Sequence, residues 1–361
     1  MEPWNLRIFR TRSGAPEFIL PMSSASWTSR LGSNGTGNHA SKLRGLGIPR
    51  SFIREIARGN KYTLAHCWGD HVAYAGVIQN RRYSERAELL QLYSKELRAA
   101  IFNKRLTHGV NEYNPQGGTL SAVNQSHSGA ARIVLNAATK ADAVPGWELP
   151  LTLPAGGAGT FNAVWWHDEG LTVENMLAQI EAEGIEIGFA PSIDANGYLR
   201  WTTQVGAPIM TGTPFLLPAN APGTIVMDPW SEEDYAEQYT GLLGFGKGYG
   251  EDRPWTYSPR VGDGIGDLPV MDTRTNFDRL TDQTRLNKAN DVEFASRQLP
   301  IEQWDYRLFI GGTGPAIAAP GRVHDLHTYG SLFNNDGSHL LRVDALSGGL
   351  NLTVEPEVTR V

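Results

Sequence analysis

The chain has 361 residues, 40% of them hydrophobic and 19% charged, a composition typical of folded soluble domains rather than disordered or membrane-embedded chains. Its 32 Lys and Arg against 38 Asp and Glu leave a formal charge of −6, which argues against a protein that coats duplex DNA through overall basic charge. A single cysteine, Cys67, excludes an internal disulfide and a multi-cysteine zinc site, and no apolar run approaches the ~20 residues that span a bilayer.

The length allows two or three domains and a core that needs no covalent staples. The opening Met1-Glu2-Pro3-Trp4 lacks a charged region followed by an apolar stretch, so no signal peptide is expected. Residues 1–60, rich in Gly and Ser between Gly32 and Gly47, match no recognisable pattern. The first clear element is a hairpin. Tyr62, Leu64, His66 and Trp68 alternate with Thr63, Ala65 and Cys67, and beyond Gly69-Asp70 the alternation resumes at Val72, Tyr74, Gly76 and Ile78. Glycine at the first central position of a two-residue loop predicts a type II′ turn. Ala87–Tyr93 predicts another strand. Ser94 then reads as the N-cap of a helix with Leu97, Ala100 and Ile101 on one face and Lys104 and Arg105 at its end.

Residues 107–118 read as a linker or long loop. Thr119–Ala138 predicts a helix, with Leu120, Val123, His127, Ala131, Val134 and Leu135 at helical spacing. A further helix runs from a Thr172 cap through Val173, Met176, Leu177 and Ile180 to Gly184. Ile185–Pro191 and Tyr198–Val205 flank Asp194-Ala195-Asn196-Gly197, a hairpin signature. From Thr224 to Asp282 the pattern is strand and loop. Leu286, Ala289, Val292 and Ala295 then recur every three residues, predicting a helix stopped by Pro300 that docks on a C-terminal barrel through Leu286, Ala289, Val292 and Leu299. Ile301–Val361 reads as a small antiparallel barrel or sandwich.

Few constellations carry the residue types of catalysis. His66-Cys67-Trp68-Gly69-Asp70-His71 gathers a thiol, two imidazoles and a carboxylate, but strand neighbours point to opposite faces, so His66 and Cys67 should diverge. His167-Asp168-Glu169 has one imidazole, and His324-Asp325-Leu326-His327 has the wrong spacing for a helical zinc pair. His127 on an apolar stripe reads as a partly buried, satisfied side chain. Gly244-Phe245-Gly246-Lys247-Gly248-Tyr249-Gly250 lacks the third glycine of a dinucleotide fingerprint and no helix pattern follows it. Alternate glycines predict instead a strand face approached closely by another element or subunit. Gly262–Asp267 lacks the spaced oxygens of a calcium loop, and Glu232-Glu233-Asp234 reads as a solvated face. No catalytic, cofactor-binding or metal-binding residue is assigned, and the chain is expected not to be an enzyme.

The order of elements, with several local phrases, resembles the tail hub (minor tail, baseplate hub-like) proteins of long-tailed bacteriophages, most closely those of phages infecting actinobacteria. The phrases are Gly76-Val77-Ile78 closing a hairpin, Glu88–Tyr93 running into Ser94–Arg105, and the capped helix Thr172–Glu183 followed by the hairpin Ile185–Trp201 and Gln204-Val205-Gly206. Towards the C-terminus they are Gln283–Leu299, the Pro-Gly-led strand Pro320–Asp325, Leu341-Arg342-Val343-Asp344 and Leu350–Pro356. The likeness runs from about Tyr62 onward and departs from the family's Gly-Asp at Gly321-Arg322.

This resemblance implies a strand-rich α+β fold, with tandem tube-like β-barrel domains and an inserted helix-and-hairpin domain. The expected divisions are an N-terminal arm and first barrel-like domain over residues 1–106, the helix-and-hairpin domain over 107–220, and a second barrel-like domain with its packed helix over 221–361. It also implies a homotrimeric ring at the tail tip, part of the virion and made in the host cytoplasm. Its partners would be distal tail and tail tube proteins, the tape measure protein and tip or receptor-binding proteins. DNA would pass only in transit, with no cofactor and no stable membrane insertion. The ring's inner surface is expected to be acidic or neutral, with basic residues on outer and subunit-facing surfaces. Two other classes stay open at this point: a tail-associated cell-wall hydrolase, and a carbohydrate-binding adhesin using the ten Trp and twelve Tyr.

Overall fold

The computed structural model describes residues 4–107, 118–139, 146–259, 269–278, 280–298, 301–332, 334 and 336–361. The expected hairpin forms: Tyr62–Trp68 pairs antiparallel with His71–Ser84, with Trp68 opposite His71. Gly69 takes φ 59° while Asp70 stays at negative φ, the combination a type II′ turn requires. The hairpin lies in the middle of a sheet whose adjacent strands run Ser24–Arg30, Thr36–Lys42, Leu89–Lys95, His71–Ser84, Tyr62–Trp68, Trp4–Arg10. The first 60 residues therefore supply strands of this sheet. Pro16–Leu20 forms its edge beyond Trp4–Arg10, and the short helix Arg50–Ile56 seats Phe52 against Phe18.

Five strand-to-strand steps of ~4.8 Å would separate Ser24–Arg30 from Trp4–Arg10 by ~24 Å in a flat sheet. Yet the rings of Trp27 and Trp4, on those two strands, have centroids 6.0 Å apart. The sheet curls into a barrel-like half whose interior holds Trp4, Trp27, His39, His66 and Tyr74. A second curl follows the same logic. Ile301–Phe309, Thr353–Arg360, Gly337–Gly348 and Arg322–Thr328 are adjacent in that order, but Tyr306 and His324, on the outer two, meet at 2.6 Å. Thr211–Pro218 extends this half in parallel beside Arg322–Thr328. Antiparallel pairing of Ala345 with Arg30 and Gly348 with Trp27 joins the two halves in one 13-stranded sheet.

Between them in sequence lies a helix-and-hairpin layer. Val173–Glu181 is a helix opened by a Thr172–Asn175 capping box, burying Val173, Met176, Leu177 and Ile180 as the pattern predicts. Glu186–Ile193 and Leu199–Gly206 form the expected hairpin; the Asp194 carboxylate accepts from the backbone N–H of Asn196 and Tyr198, each at 2.9 Å. Thr119–Ala138 departs from expectation. Thr119–Gln125 is a strand paired with Phe161–Trp166, and the helix spans only His127–Thr139. The strand's one fully buried side chain is Ala122, so nothing bulky marks its period of two. The N-cap assigned to Ser94 is also corrected. Ser94 is a buried strand residue whose Oγ meets the Tyr74 hydroxyl at 2.9 Å, and the helix is a single turn, Leu97–Ala100, continued by the 3₁₀ turn Phe102–Lys104. The loop expected at 107–118 lies outside the described residues beyond Thr107, up to Gly118.

The chain divides into two compact units, residues 1–229 with 306–359 and Val361, and residues 230–305 with Arg360. In the second unit Trp255–Ser258, Gly241–Phe245 and Asp272–Asn276 form a three-stranded sheet under the helix Gln283–Arg297, whose N-cap is Asp282. The helix packs on this small sheet through Leu286, as the repeat predicts, and through Asn290 and Phe294, which the repeat does not include. Val292 is 63% exposed; Leu299 and Pro300 lie outside the described residues. Asn290 holds the contact together, its Nδ2 donating to the Leu242 carbonyl at 3.1 Å and to Ser258 Oγ at 2.9 Å. Asn290→Ala should cost roughly 1–3 kcal/mol by orphaning those buried acceptors, and Val292→Ala no more than about 0.5 kcal/mol. Urea denaturation checks both. Equal effects would place the packed face wrongly.

The glycine run belongs to the same unit. A Cβ at Gly244 would lie 2.2 Å from Asn290 Oδ1, and one at Gly246 would lie 2.6 Å from the Leu280 carbonyl oxygen. The close approach comes from the chain's own helix and loop, and the strand stops at Phe245, leaving residues 246–249 in an irregular loop that leads into the 3₁₀ turn Gly250–Asp252.

Candidate functional site

The segment from His66 to His71 is split by the pleat. Cys67 faces the core shared by Phe9, Ala65, Val72 and Ala75, with its Sγ 3.7 Å from the Ala65 carbonyl oxygen. Burial pushes its thiol up to about 12. His66 faces the barrel interior, where its Nε2 donates to the Gly349 carbonyl at 3.2 Å, and burial brings it down to about 4. Asp70 is spent in the turn, 92% exposed and 2.8 Å from Arg7. Burial lowers His71 as well. A thiol held protonated, with the nearest imidazole on the opposite face, is not a nucleophile–base pair.

The barrel interior is the densest cluster of titratable rings. His39 lies 5.2 Å from His66 and 6.0 Å from Tyr74, ring centre to ring centre, and Trp4 lies 4.5 Å from His66 with its ring tilted at 39°. Both nitrogens of His39, Nδ1 of His66 and Nε1 of Trp27 are buried without a hydrogen-bond partner among the described residues. Burial, and secondarily the His66 ring, bring His39 down to about 3. These imidazoles are neutral at ordinary pH and act as polar packing. His39 was missed in the sequence because its strand, Thr36–Lys42, has no large apolar residue to mark a buried face. Nearby, Glu96 is fully enclosed. Its carboxylate accepts from Ser29 Oγ at 2.7 Å and from the backbone N–H of Gly35 at 2.6 Å and Arg30 at 3.2 Å, yet burial pushes it up to about 7.

The remaining clusters are dispersed. His324 and His327, three apart on the strand Arg322–Thr328, point to opposite faces. His324 is buried, accepting from the Tyr306 hydroxyl and donating to the Ile317 carbonyl at 2.9 Å, while His327 lies 3.2 Å from Asp325. His167–Glu169 is a 3₁₀ turn with Asp168 and Glu169 exposed. His127 pairs with Glu183 at 2.9 Å and packs on Phe161. Gly262–Asp267 lies outside the described residues. Arg98, also missed, is the best-built charged group. Its guanidinium donates to Glu174 at 2.6 Å, to Glu181 at 2.7 Å and to the Ile187 carbonyl at 3.1 Å. Burial opposes its charge, but the bonds to Glu181 and Glu174 outweigh that and raise it further. It ties the turn Leu97–Ala100 to the helix Val173–Glu181. Among the described residues no three His, Cys, Asp or Glu side chains converge as a metal site, and no helix is long and apolar enough to cross a membrane.

No family model and no curated protein matches the sequence. Solved structures do match the fold over nearly the whole chain. The 43 kDa tail protein of prophage MuSo2 from Shewanella oneidensis aligns at a TM-score of 0.61 and 10% identity, covering 99% of this chain and 98% of that one. A tail protein from Neisseria meningitidis aligns at 0.58 and 12% identity, covering 99% and 96%. The Escherichia coli c3393 protein, described as a component of the type VI secretion system with structural similarity to the bacteriophage T4 tail proteins gp27 and gp5, aligns at 0.50 and 10% identity, covering 99% and 76%. The chain has a strand-rich α+β fold of several sheets, similar to that of these solved tail proteins.

Proposed function

We propose that the protein is a structural component of a phage tail tip, a hub ring that joins the tail tube to the tip or receptor-binding apparatus and encloses part of the DNA channel. The observation that carries this reading is the end-to-end match to tail proteins, with nearly equal coverage of both chains in the first two comparisons. The two curled halves joined in one sheet support it further, because two barrel-like halves per subunit let three copies present six similar faces to a tube above. On this reading the segments 1–106 and 221–361 supply the barrel-like halves, and 107–220 is the helix-and-hairpin domain between them. Its partners are tail tube, tape measure and tip proteins, and it resides in the virion. Among the described residues, the buried titratable side chains are held by packing, hydrogen bonds and ion pairs, which supports a non-enzymatic role.

The test is a phage carrying a stop codon early in the gene. DNA-filled heads should accumulate without attached tails, and supplying the protein in trans should restore them. Complete tails that adsorb normally but fail to penetrate the cell wall would instead favour a hydrolase.

A further inference from the structure

On a chain of net charge −6, residues 42–86 carry nine Lys and Arg and only three Asp and Glu. The fold brings three of these cations, Arg50, Arg54 and Arg81, together on one surface of the first unit. Arg50 and Arg54 lie one turn apart on the helix Arg50–Ile56, ~6 Å along its axis. Arg81 and Tyr83 share a face of the strand His71–Ser84, and Arg81 Nη1 donates to the Arg54 carbonyl at 3.0 Å, fastening strand to helix. The carboxylates nearby are few. Glu55 is taken by Lys61 and Tyr62, Glu88 lies 3.8 Å from Arg44, and Asp70 is paired with Arg7 at the far end of the hairpin. The exposed guanidinium groups of Arg50 and Arg54 have no ion-pair partner among the described residues.

Helix and strand enclose a cleft of about 240 Å³. Leu43, Ile53, Ala57 and Leu90 give it an apolar floor, Arg50, Arg54 and Arg81 stand at its rim with Tyr83, and Glu85 is the one carboxylate in its lining. We propose that this cleft is a docking site for an acidic polypeptide segment that places a bulky apolar side chain between carboxylates. The rim is almost wholly arginine, whose planar fork matches carboxylate geometry better than an ammonium does. The floor requires an apolar group, and a concave apolar pocket with a few convergent polar groups is the usual form of a specific site. Duplex DNA would meet the rim but has no protruding apolar group to cover the floor. The inference rests on the cleft alone and does not depend on the tail-tip reading.

The experiment uses the full chain and two fluorescein-labelled peptides, Glu-Glu-Leu-Phe-Glu-Glu and its charge-matched counterpart Glu-Glu-Ser-Ser-Glu-Glu, with a short DNA duplex as competitor, at ~0.15 M salt. The Leu-Phe peptide should bind at least about tenfold more tightly than the Ser-Ser peptide. The double variant Arg50→Glu/Arg54→Glu, at exposed positions that leave the thermal midpoint unchanged, should lose that binding. Equal binding of the two peptides, no binding by either, or binding that survives the charge reversal would overturn the proposal. Binding of the duplex with neither peptide would assign the surface to nucleic acid and overturn it too.

Discussion

Replacing Arg98 with Leu should cost about 3–5 kcal/mol, because it strands Glu174 and Glu181 side by side in a largely dry site. Both carboxylates are about three-quarters buried, at 24% and 25% side-chain exposure, and with Arg98 gone each faces a like charge in place of a cation. The Ile187 carbonyl loses a donor as well. The loss should be recovered in large part by neutralising the partners. Arg98→Leu/Glu174→Gln/Glu181→Gln should regain at least half of it, since an uncharged cluster has far less desolvation to offset. Urea denaturation at neutral pH measures all three proteins. A single variant within about 0.5 kcal/mol of the parent would show that the ion cluster is solvated and unimportant.

The second large effect is in acid. His39 and His66 fold with imidazoles brought down to about 3 and about 4, against 6.5 for the ordinary group. Below pH 6.5 the unfolded chain takes up protons that the native interior refuses, so their contribution is complete above 6.5 and is lost as the pH falls towards the folded values. Glu96 has the opposite sign. Its carboxyl is pushed up to about 7 from 4.5, so the native state protonates first and gains relative stability as the pH falls through that window. His71 and His324, also lowered by burial, add to the histidine side. A comparison isolates the barrel pair: between pH ~7.5 and ~5 the parent should lose roughly 2–4 kcal/mol more than His39→Gln/His66→Gln, with each single variant near half the difference. Parallel pH profiles would mean that the two rings are not held neutral by the barrel.

What the sequence discloses is local and periodic. The turn at Gly69-Asp70, the capped stripe from Thr172 to Ile180 and the Asp194–Gly197 hairpin all carry their signals within a dozen residues. What it conceals depends on partners far along the chain. Thr119–Gln125 reads as helix because Leu120, Val123 and His127 have helical spacing, and only pairing with Phe161–Trp166 makes it a strand. The face of Gln283–Arg297 is misread because its central buried residue is Asn290, a polar side chain that no apolar pattern includes. The strand Thr36–Lys42 is interior only because the sheet curls over it, a closure seen in the meeting of Trp4 and Trp27 from strands five steps apart in the sheet. Likewise, Glu96 and Arg98 look like ordinary surface charges until their partners, Gly35 and Glu181, are brought to them.

Electron cryomicroscopy of the intact virion tests the tail-hub account most directly. The account predicts three copies in a single ring at the distal end of the tail tube, each contributing two barrel-like halves to the channel wall. The wall should be acidic or neutral, with Arg50, Arg54 and Arg81 facing away from the axis. A chain projecting outward as a fibre, copies absent from the tail, or a channel lined by those arginines would contradict it.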